Sequence, residues 1–93
     1  MKGKGIVIKI LTDDVKGSKH QRFTLRLNDQ RSVLVVHNID IAPKIKHLHI
    51  GDTIEFMGTY QWNKLGGLVH WTHHDPHGKH PSGWLKHKDK LYQ

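Results

Sequence analysis

The chain has no cysteine, which excludes disulfide bonds, thiolate zinc sites and a cysteine nucleophile. It has no run of roughly 18 apolar residues, so a membrane-spanning helix and an apolar export signal are not expected. The fixed spacings of HExxH zinc sites, phosphate-binding loops and serine-nucleophile elbows are also missing. These absences predict a cytoplasmic protein with no membrane partner. Any metal would be held by histidine, carboxylate or carbonyl oxygen.

Positive charge and histidine are the abundant features. Fifteen Lys and Arg against eight Asp and Glu give a formal charge of +7, which favours polyanionic partners. Ten of the 93 residues are histidine, several times an ordinary share. Because imidazole ordinarily has a pKa near 6.5, the charge should rise further in mild acid and polyanion binding should tighten.

Alternation of apolar and polar residues predicts five strands. The run Phe23-Thr24-Leu25-Arg26-Leu27 has the period of two that is typical of half-buried strands. Asn28-Asp29-Gln30 is predicted as a tight hairpin, and the first three strands as a meander. The predicted strands lie near residues 5–11, 20–28, 32–37, 52–61 and 67–73.

The stretch over residues 39–48 breaks this period. Ile41, Ile45 and Leu48 recur at spacings of four and three, which predicts one short helix with Pro43 in its first turn. Three strands, a short helix and two further strands are the order of the OB fold. We therefore expect an all-β protein with one short helix, built as a five-stranded OB-like Greek-key barrel. An SH3-like barrel is the competing fold and would lack the helix.

The C-terminal residues 74–93 differ in composition from the rest. Residues 74–83 are too rich in Pro, Gly and His for a strand or helix, so we expect a histidine-rich loop. Trp84 is expected to anchor the segment that follows. The length of 93 residues suffices for one hydrophobic core, since a second would need roughly another hundred. Residues 1–93 are thus predicted to be a single OB-like domain with 74–93 packed on the barrel.

Three motifs carry a family resemblance. They are His20-Gln21-Arg22-Phe23, His37-Asn38-Ile39-Asp40-Ile41-Ala42-Pro43 and His70-Trp71-Thr72-His73-His74-Asp75-Pro76. With these motifs the chain resembles, over nearly its whole length, an uncharacterised bacterial family of small OB-like proteins, a domain of unknown function. Some relatives are products of mobile integron gene cassettes, and the resemblance implies that origin here. It implies no activity, because none is established for the family.

The histidine-rich stretch is a candidate metal site. A transition metal needs three or four donors at roughly 2 Å. Residues four apart in a straight strand are about 13 Å apart, so His70 and His74 could converge only if a loop intervenes. The implied cofactor is a divalent transition metal such as zinc. The alternative is that these histidines only hydrogen-bond to backbone. The candidate ligands are His20, His37, His70, His74 and Asp75.

A second candidate is a catalytic cluster of His20, Arg22, His37 and Asp40. A histidine oriented by Asp40 could act as a general base while Arg22 neutralises a phosphate, which is the minimum for phosphodiester hydrolysis. This defines the alternative function, a metal-dependent hydrolase or nuclease. The opposing interpretation is structural, since buried His, Asn and Asp networks often fasten loops by satisfying backbone groups.

A third candidate is a nucleic-acid surface. OB barrels bind single strands through a basic groove, with aromatic side chains stacking on the bases. The candidate contacts are Lys19, Arg22, Arg26 and Trp62, of which Trp62 is expected to be exposed at a strand end. Our leading hypothesis is a small non-enzymatic binding module for polyanions, with single-stranded nucleic acid as the first choice. The sequence leaves open whether the chain is an enzyme, and whether it is a monomer or a homodimer.

Overall fold

The computed structural model describes residues 1–93 and contains eight strands and no helix, so no helix is available to cross a membrane. The strands form one sheet in the order β5-β6-β3-β2-β1-β4-β7-β8. The predicted all-β class is confirmed. The expected count of five strands is wrong, because the hydrogen-bonded order runs over eight strands and does not close. The strands are β1 (Lys2–Ile10), β2 (His20–Leu27), β3 (Ser32–Asn38), β4 (Thr53–Met57), β5 (Thr59–Gln61), β6 (Leu68–His70), β7 (Trp84–His87) and β8 (Lys90–Tyr92).

The first three strands form an antiparallel meander. Alternation along β2 directs Phe23 and Leu25 into the core, where both are fully buried, and leaves the residues between them partly exposed. Next, β3 pairs in parallel with β6, with Leu34 opposite Leu68. A parallel neighbour cannot follow through a hairpin, so the chain between β3 and β6 must cross the end of the sheet.

The predicted strand over residues 52–61 is divided at Gly58 into β4 and β5. β4 pairs with β1 and β7, whereas β5 pairs with β6. Gly58 packs so closely that a Cβ there would overlap the carbonyl oxygen of His70 and the side chain of Val69. Glycine therefore lets the chain pass from one part of the sheet to the other without opening the packing.

The short helix expected over residues 39–48 is wrong, because residues 39–50 contain only turns and bends. One helical turn does form, in which the Ala42 N–H donates to the Asn38 carbonyl oxygen at 3.1 Å. It cannot continue, since Pro43 has no N–H to donate and disfavours the helical conformation at Ala42. The spacing of Ile41, Ile45 and Leu48 therefore does not indicate one face of a helix.

A buried glutamine holds this segment in place of helical hydrogen bonds. The Ile45 N–H donates to Gln21 Oε1 at 2.9 Å, and Gln21 Nε2 donates to the Ile45 carbonyl oxygen at 3.1 Å. The carboxamide pairs with Ile45 as a neighbouring strand would. Ile45, at 2% exposure, belongs to the twelve-residue apolar core, and Leu48 packs against that core.

The C-terminal segment forms two strands that the sequence analysis did not predict. β7 extends the sheet beyond β4, and β8 is the edge strand. The turn between them is Lys88-Asp89, in which both residues have positive φ, 49° and 66°. This backbone conformation is that of a two-residue hairpin turn, for which Asn-Gly is the usual signal. Lys-Asp carries no such signal, so the hairpin was missed.

Replacing Gln21 with alanine should destabilise the protein. The variant leaves the buried N–H and carbonyl of Ile45 without partners, at about 1–3 kcal/mol for each unpaired group. We expect a loss of about 2–4 kcal/mol in the free energy of unfolding by urea titration. Gln61→Ala, at an exposed position, is the matched control and should change stability by less than about 0.5 kcal/mol. Equal losses in the two variants would contradict this account of the segment.

Candidate functional site

A groove crosses the outer face of β2, β3 and β6. Its larger end, here called the histidine cleft, has a volume of about 470 Å³. Its smaller end, about 200 Å³, lies beside residues 63–67 and includes Thr24 and Leu34. Leu34 lines the smaller end and Leu68 the cleft, and these two residues are cross-strand partners, so the two ends adjoin each other. The cleft is lined by, among others, His20, His70, Trp71, His73, His77 and His80.

Two adjacent columns of different chemistry run along the groove. The outward residues of β2 are polar and mostly basic, and those of β3 include Leu34 and Val36. The register places Arg22 opposite Val36 and Thr24 opposite Leu34. Because residues on one face of a strand alternate, each column presents a side chain about every 6.6 Å. Of the β2 column, His20 and Thr24 line the groove itself, and Arg22 and Arg26 lie beside it on the same face of the strand.

The loop over residues 71–83 lines the histidine cleft together with the sheet, and Asp75 organises this loop. The Asp75 carboxylate accepts hydrogen bonds from the backbone N–H groups of His77, Lys79 and His80 at 2.9, 2.5 and 2.9 Å. The N–H of His77, followed by the other two, lowers the pKa of Asp75. This carboxylate acts as an internal cap for the loop.

The loop is fastened to the sheet through His37. One ring nitrogen, Nε2, donates to the Pro43 carbonyl oxygen at 2.9 Å, and Nδ1 accepts from the Thr72 hydroxyl at 2.7 Å. A carbonyl oxygen can only accept, so this pairing fixes the tautomer of the neutral ring. His37 and Thr72 are both fully buried. Close packing at Gly83 adds a second tie, because a Cβ there would overlap the Trp71 carbonyl oxygen.

Burial lowers the pKa of His37 to about 4, and repulsion from His73 and His20 adds to this effect. The bond to Pro43 opposes the shift without cancelling it. With both nitrogens engaged inside the protein, His37 has no free atom to bind a metal or take a proton from a substrate. Its role is structural.

Three aromatic rings contact one another at the mouth of the cleft. The Trp71 indole stacks on His80, with ring centroids 4.5 Å apart and an interplanar angle of 12°, and lies 4.7 Å from the His70 ring. Trp71 has a φ of 55°, a conformation that is strained for a bulky side chain. The loop therefore accepts backbone strain to direct this ring, 43% exposed, towards the groove.

Backbone carbonyls fix the tautomers of three cleft histidines. Nδ1 of His20 donates to the Ser18 carbonyl oxygen at 2.9 Å, Nδ1 of His73 to that of His74 at 3.0 Å, and Nδ1 of His80 to that of Pro81 at 2.8 Å. Each neutral ring therefore has its lone pair on Nε2. Burial lowers the pKa of His70, and repulsion from His80, His20 and His73 lowers it further.

The candidate metal ligands are only partly brought together. His20, His70 and Asp75 line the cleft, but His37 lies in the interior, and His74 pairs its Nδ1 with the Ser82 hydroxyl at 3.0 Å. No group of three or more His, Asp or Glu side chains is arranged to hold a metal ion. The Asp75 oxygens already accept three backbone hydrogen bonds. His37 and His74 each use a ring nitrogen on another group of the protein, His37 on the Pro43 carbonyl oxygen and His74 on the Ser82 hydroxyl.

The candidate catalytic cluster is also divided. Arg22 donates from Nε and Nη2 to the Thr12 carbonyl oxygen at 3.2 and 2.8 Å, which engages it in holding the loop before β2. Asp40 accepts from the Lys19 backbone N–H at 2.9 Å and does not orient His37. Of this cluster, only His20 faces the cleft.

Three of the four candidate nucleic-acid contacts are exposed. Lys19, just before β2, and Arg26, near the end of β2, are exposed, and Trp62 is 72% exposed just beyond β5. Arg22 is the exception, because its guanidinium is engaged by Thr12. The sequence analysis did not include Leu65 among the candidate contacts. Its side chain is 94% exposed in the loop that borders the smaller end of the groove.

A second basic surface lies outside the groove. Cross-strand pairing aligns Lys4 with Glu55 and Glu55 with Lys86 on the outer face of β1, β4 and β7. Neither lysine forms an ion pair with Glu55 within 4.0 Å. Part of the positive charge therefore lies away from the groove.

A family model described as "Protein of unknown function (DUF3465)" matches residues 1–93. The chain belongs to this family. No curated protein and no solved structure matches it at a significant level. The DUF3465 assignment agrees with the resemblance found in the sequence, and it supplies no activity or site residue to carry over.

For this DUF3465 protein, stability should fall in mild acid because of His37. The unfolded chain protonates this ring below about pH 6.5, whereas the folded state keeps it neutral until about pH 4, so the unfolded state binds more protons between these values. We expect the His37 contribution to unfolding free energy to drop by about 2 kcal/mol from pH 7 to pH 5. The measurement is urea unfolding at both pH values.

His37→Gln isolates this effect, because a carboxamide can still pair with Thr72 and Pro43 but does not titrate. The wild type should lose more stability than the variant on acidification. Equal losses in the two proteins would show that His37 is not the titrating group.

Asp75→Asn should loosen the histidine loop. The carboxamide offers one acceptor oxygen where the carboxylate offers two, so at least one of the three backbone N–H groups loses its partner. Amide hydrogen exchange should become faster at His77, Lys79 and His80 and stay unchanged in β2. Asp89→Asn, in the exposed β7–β8 turn, is the matched control. Unchanged exchange in the loop would contradict the capping role.

Proposed function

We propose that residues 1–93 form one OB-like domain that acts as a non-enzymatic binding module for single-stranded nucleic acid. Support for the OB-like fold is topological. A meander of β1, β2 and β3, a parallel β3–β6 pair, and β4 beside β1 follow the Greek-key order of such barrels. Gly58 alone separates β4 from β5. The covalent chain therefore joins the two parts of the sheet that are not joined by hydrogen bonds, as closure of a barrel requires.

The two columns of the groove carry this proposal. A single strand has phosphates along one side and bases along the other. The β2 column, which includes Arg26 and is preceded by Lys19, suits the phosphates. The partly exposed Leu34, Val36 and Leu68 of the floor suit the faces of unstacked bases. Register holds these two chemistries side by side over the length of the groove.

Exposed aromatic and apolar side chains support the same interpretation. Leu65, 94% exposed, lines the smaller end of the groove, and Trp62, 72% exposed, lies in the chain between Gln61 of the cleft and Asn63 of the smaller end. Stacking of a base on an aromatic ring contributes about 1–3 kcal/mol and tolerates any base. Large exposed apolar side chains near the exposed Lys19 and Arg26 indicate a ligand that is both apolar and anionic.

A hydrolase is not favoured by the side chains. Its candidate base His37 is buried and paired twice, and its candidate phosphate ligand Arg22 is engaged by Thr12. Binding needs neither residue to react. The gene-cassette origin, and the choice between monomer and homodimer, stay predictions.

The function is tested with a fluorescent single-stranded oligonucleotide titrated at several salt concentrations. Affinity should weaken as salt rises, because binding releases counterions. Trp62→Ala should weaken binding about tenfold through lost stacking. Arg26→Gln should weaken binding for all sequences and reduce the salt slope by about 1.

Lys86→Gln is the matched control, since Lys86 lies on the outer face of β7, outside the groove. It should leave affinity unchanged. The proposal is wrong if no binding occurs at low salt. It is also wrong if Lys86→Gln weakens binding while Arg26→Gln and Trp62→Ala do not.

A further inference from the structure

We infer that the histidine cleft is a phosphate-binding subsite that binds its anion together with protons. The inference rests on the proposed function, because it assigns one end of the groove to a phosphate group of the bound strand. It goes further in naming the donors, which are imidazolium groups and not lysine or arginine.

The lining of the cleft contains no lysine and no arginine. Its single carboxylate, Asp75, is held by three backbone N–H groups. With neutral imidazoles the cleft therefore carries a negative charge and repels a phosphate. Protonated histidine is the only cation that the lining can supply, so any anion held there must arrive with protons or induce their uptake.

Hydrogen-bond chemistry gives the same requirement at the level of atoms. The neutral His20 ring uses its one N–H on the Ser18 carbonyl oxygen, which leaves Nε2 with a lone pair. A lone pair cannot donate to a phosphate oxygen. Once Nε2 is protonated it becomes a charge-assisted donor, without any change in the bond to Ser18. The ring is thus positioned in advance and needs only the proton.

The groups around the cleft divide into donors and supports. His20 on β2, His70 on β6 and His77 on the loop are at least partly exposed and form the proposed donors. His80 faces Asp75, with Nε2 and Oδ2 3.8 Å apart, and pairs with it on protonation. His73 is 3% exposed and His37 is fully buried, so neither presents a donor. Outside the cleft, the exposed Lys19 side chain precedes His20, and Asp40 binds the Lys19 backbone.

The ring contacts of Trp71 favour this protonation. An imidazolium on an indole face gains a cation–π attraction that a neutral ring lacks. In the empty cleft, burial and the neighbouring histidines hold the pKa of His70 below its ordinary value. A phosphate in the cleft adds the negative charge that reverses this balance. Anion binding and proton uptake are therefore thermodynamically linked, so that each favours the other.

The first test observes the rings of the wild-type protein directly. The pKa values of the histidine ring signals are measured by NMR with and without inorganic phosphate at constant ionic strength. The signals of His20 and His70 should shift to higher pKa with phosphate. His49, exposed and outside the cleft, is the control and should not move. Unmoved His20 and His70, or an equal shift at His49, would overturn the inference.

The second test measures oligonucleotide affinity at about pH 7.5 and about pH 5.5 at one ionic strength. Binding by the wild type and by His49→Gln should tighten about tenfold in acid. The combined His20→Gln and His70→Gln variant should lose most of that gain. Equal affinity at both pH values would overturn the subsite and leave the proposed function standing. Absent oligonucleotide binding, with His20 and His70 still responding to phosphate, would overturn the proposed function alone.

Discussion

A neutral imidazole in the protein interior determines where the two irregular segments lie. His37 holds Pro43 through one nitrogen and Thr72 through the other, and it belongs to β3, an interior strand of the sheet. Neither the segment over residues 39–50 nor the loop over 71–83 contains a strand or a helix. Their positions depend on such side-chain contacts. Since Ile41 from one segment and Trp71 from the other line the histidine cleft, the shape of the cleft depends on this ring.

The same device recurs through the molecule. Gln21 pairs with the backbone of Ile45, Arg22 binds the Thr12 carbonyl, and Asp75 caps three N–H groups. Asp52 accepts from the His87 ring at 2.8 Å and so ties the turn before β4 to β7. A small sheet with long connections has many backbone groups to satisfy, and polar side chains supply the partners. Many residues that resemble catalytic groups are therefore structural.

The side chains that have no partner within the protein are informative about ligand binding. The side chains of Lys19, Arg26 and Trp62 form no hydrogen bond or ion pair within the protein and are exposed along or beside the groove. In the cleft, His20 is held by Nδ1 while its Nε2 has no hydrogen-bond partner, and the ring nitrogens of His70 and His77 form no hydrogen bond within the protein. Binding surfaces contain such unpartnered groups, because a side chain that binds a ligand cannot also be engaged in a hydrogen bond within the protein.

Sequence patterns predicted what depends on alternation. The inward Phe23 and Leu25 followed from a period of two along β2. The spacing of Ile41, Ile45 and Leu48 misled, because it cannot distinguish a helical face from separate side chains that plug a core. The Lys88-Asp89 turn lacks glycine or asparagine and gave no signal. The pairing of His37 with Thr72 joins residues 35 positions apart, which no local pattern reports.

The central claim is that the outer face of β2, β3 and β6 is the ligand-binding surface. It is tested most directly by mapping amide chemical-shift changes when a single-stranded oligonucleotide is added to isotope-labelled protein. The account predicts changes along β2, β3 and β6 and in the loops around Trp62 and Trp71, with β7 and β8 unaffected. Changes centred on Lys4 and Lys86, or no changes at low salt, would contradict it.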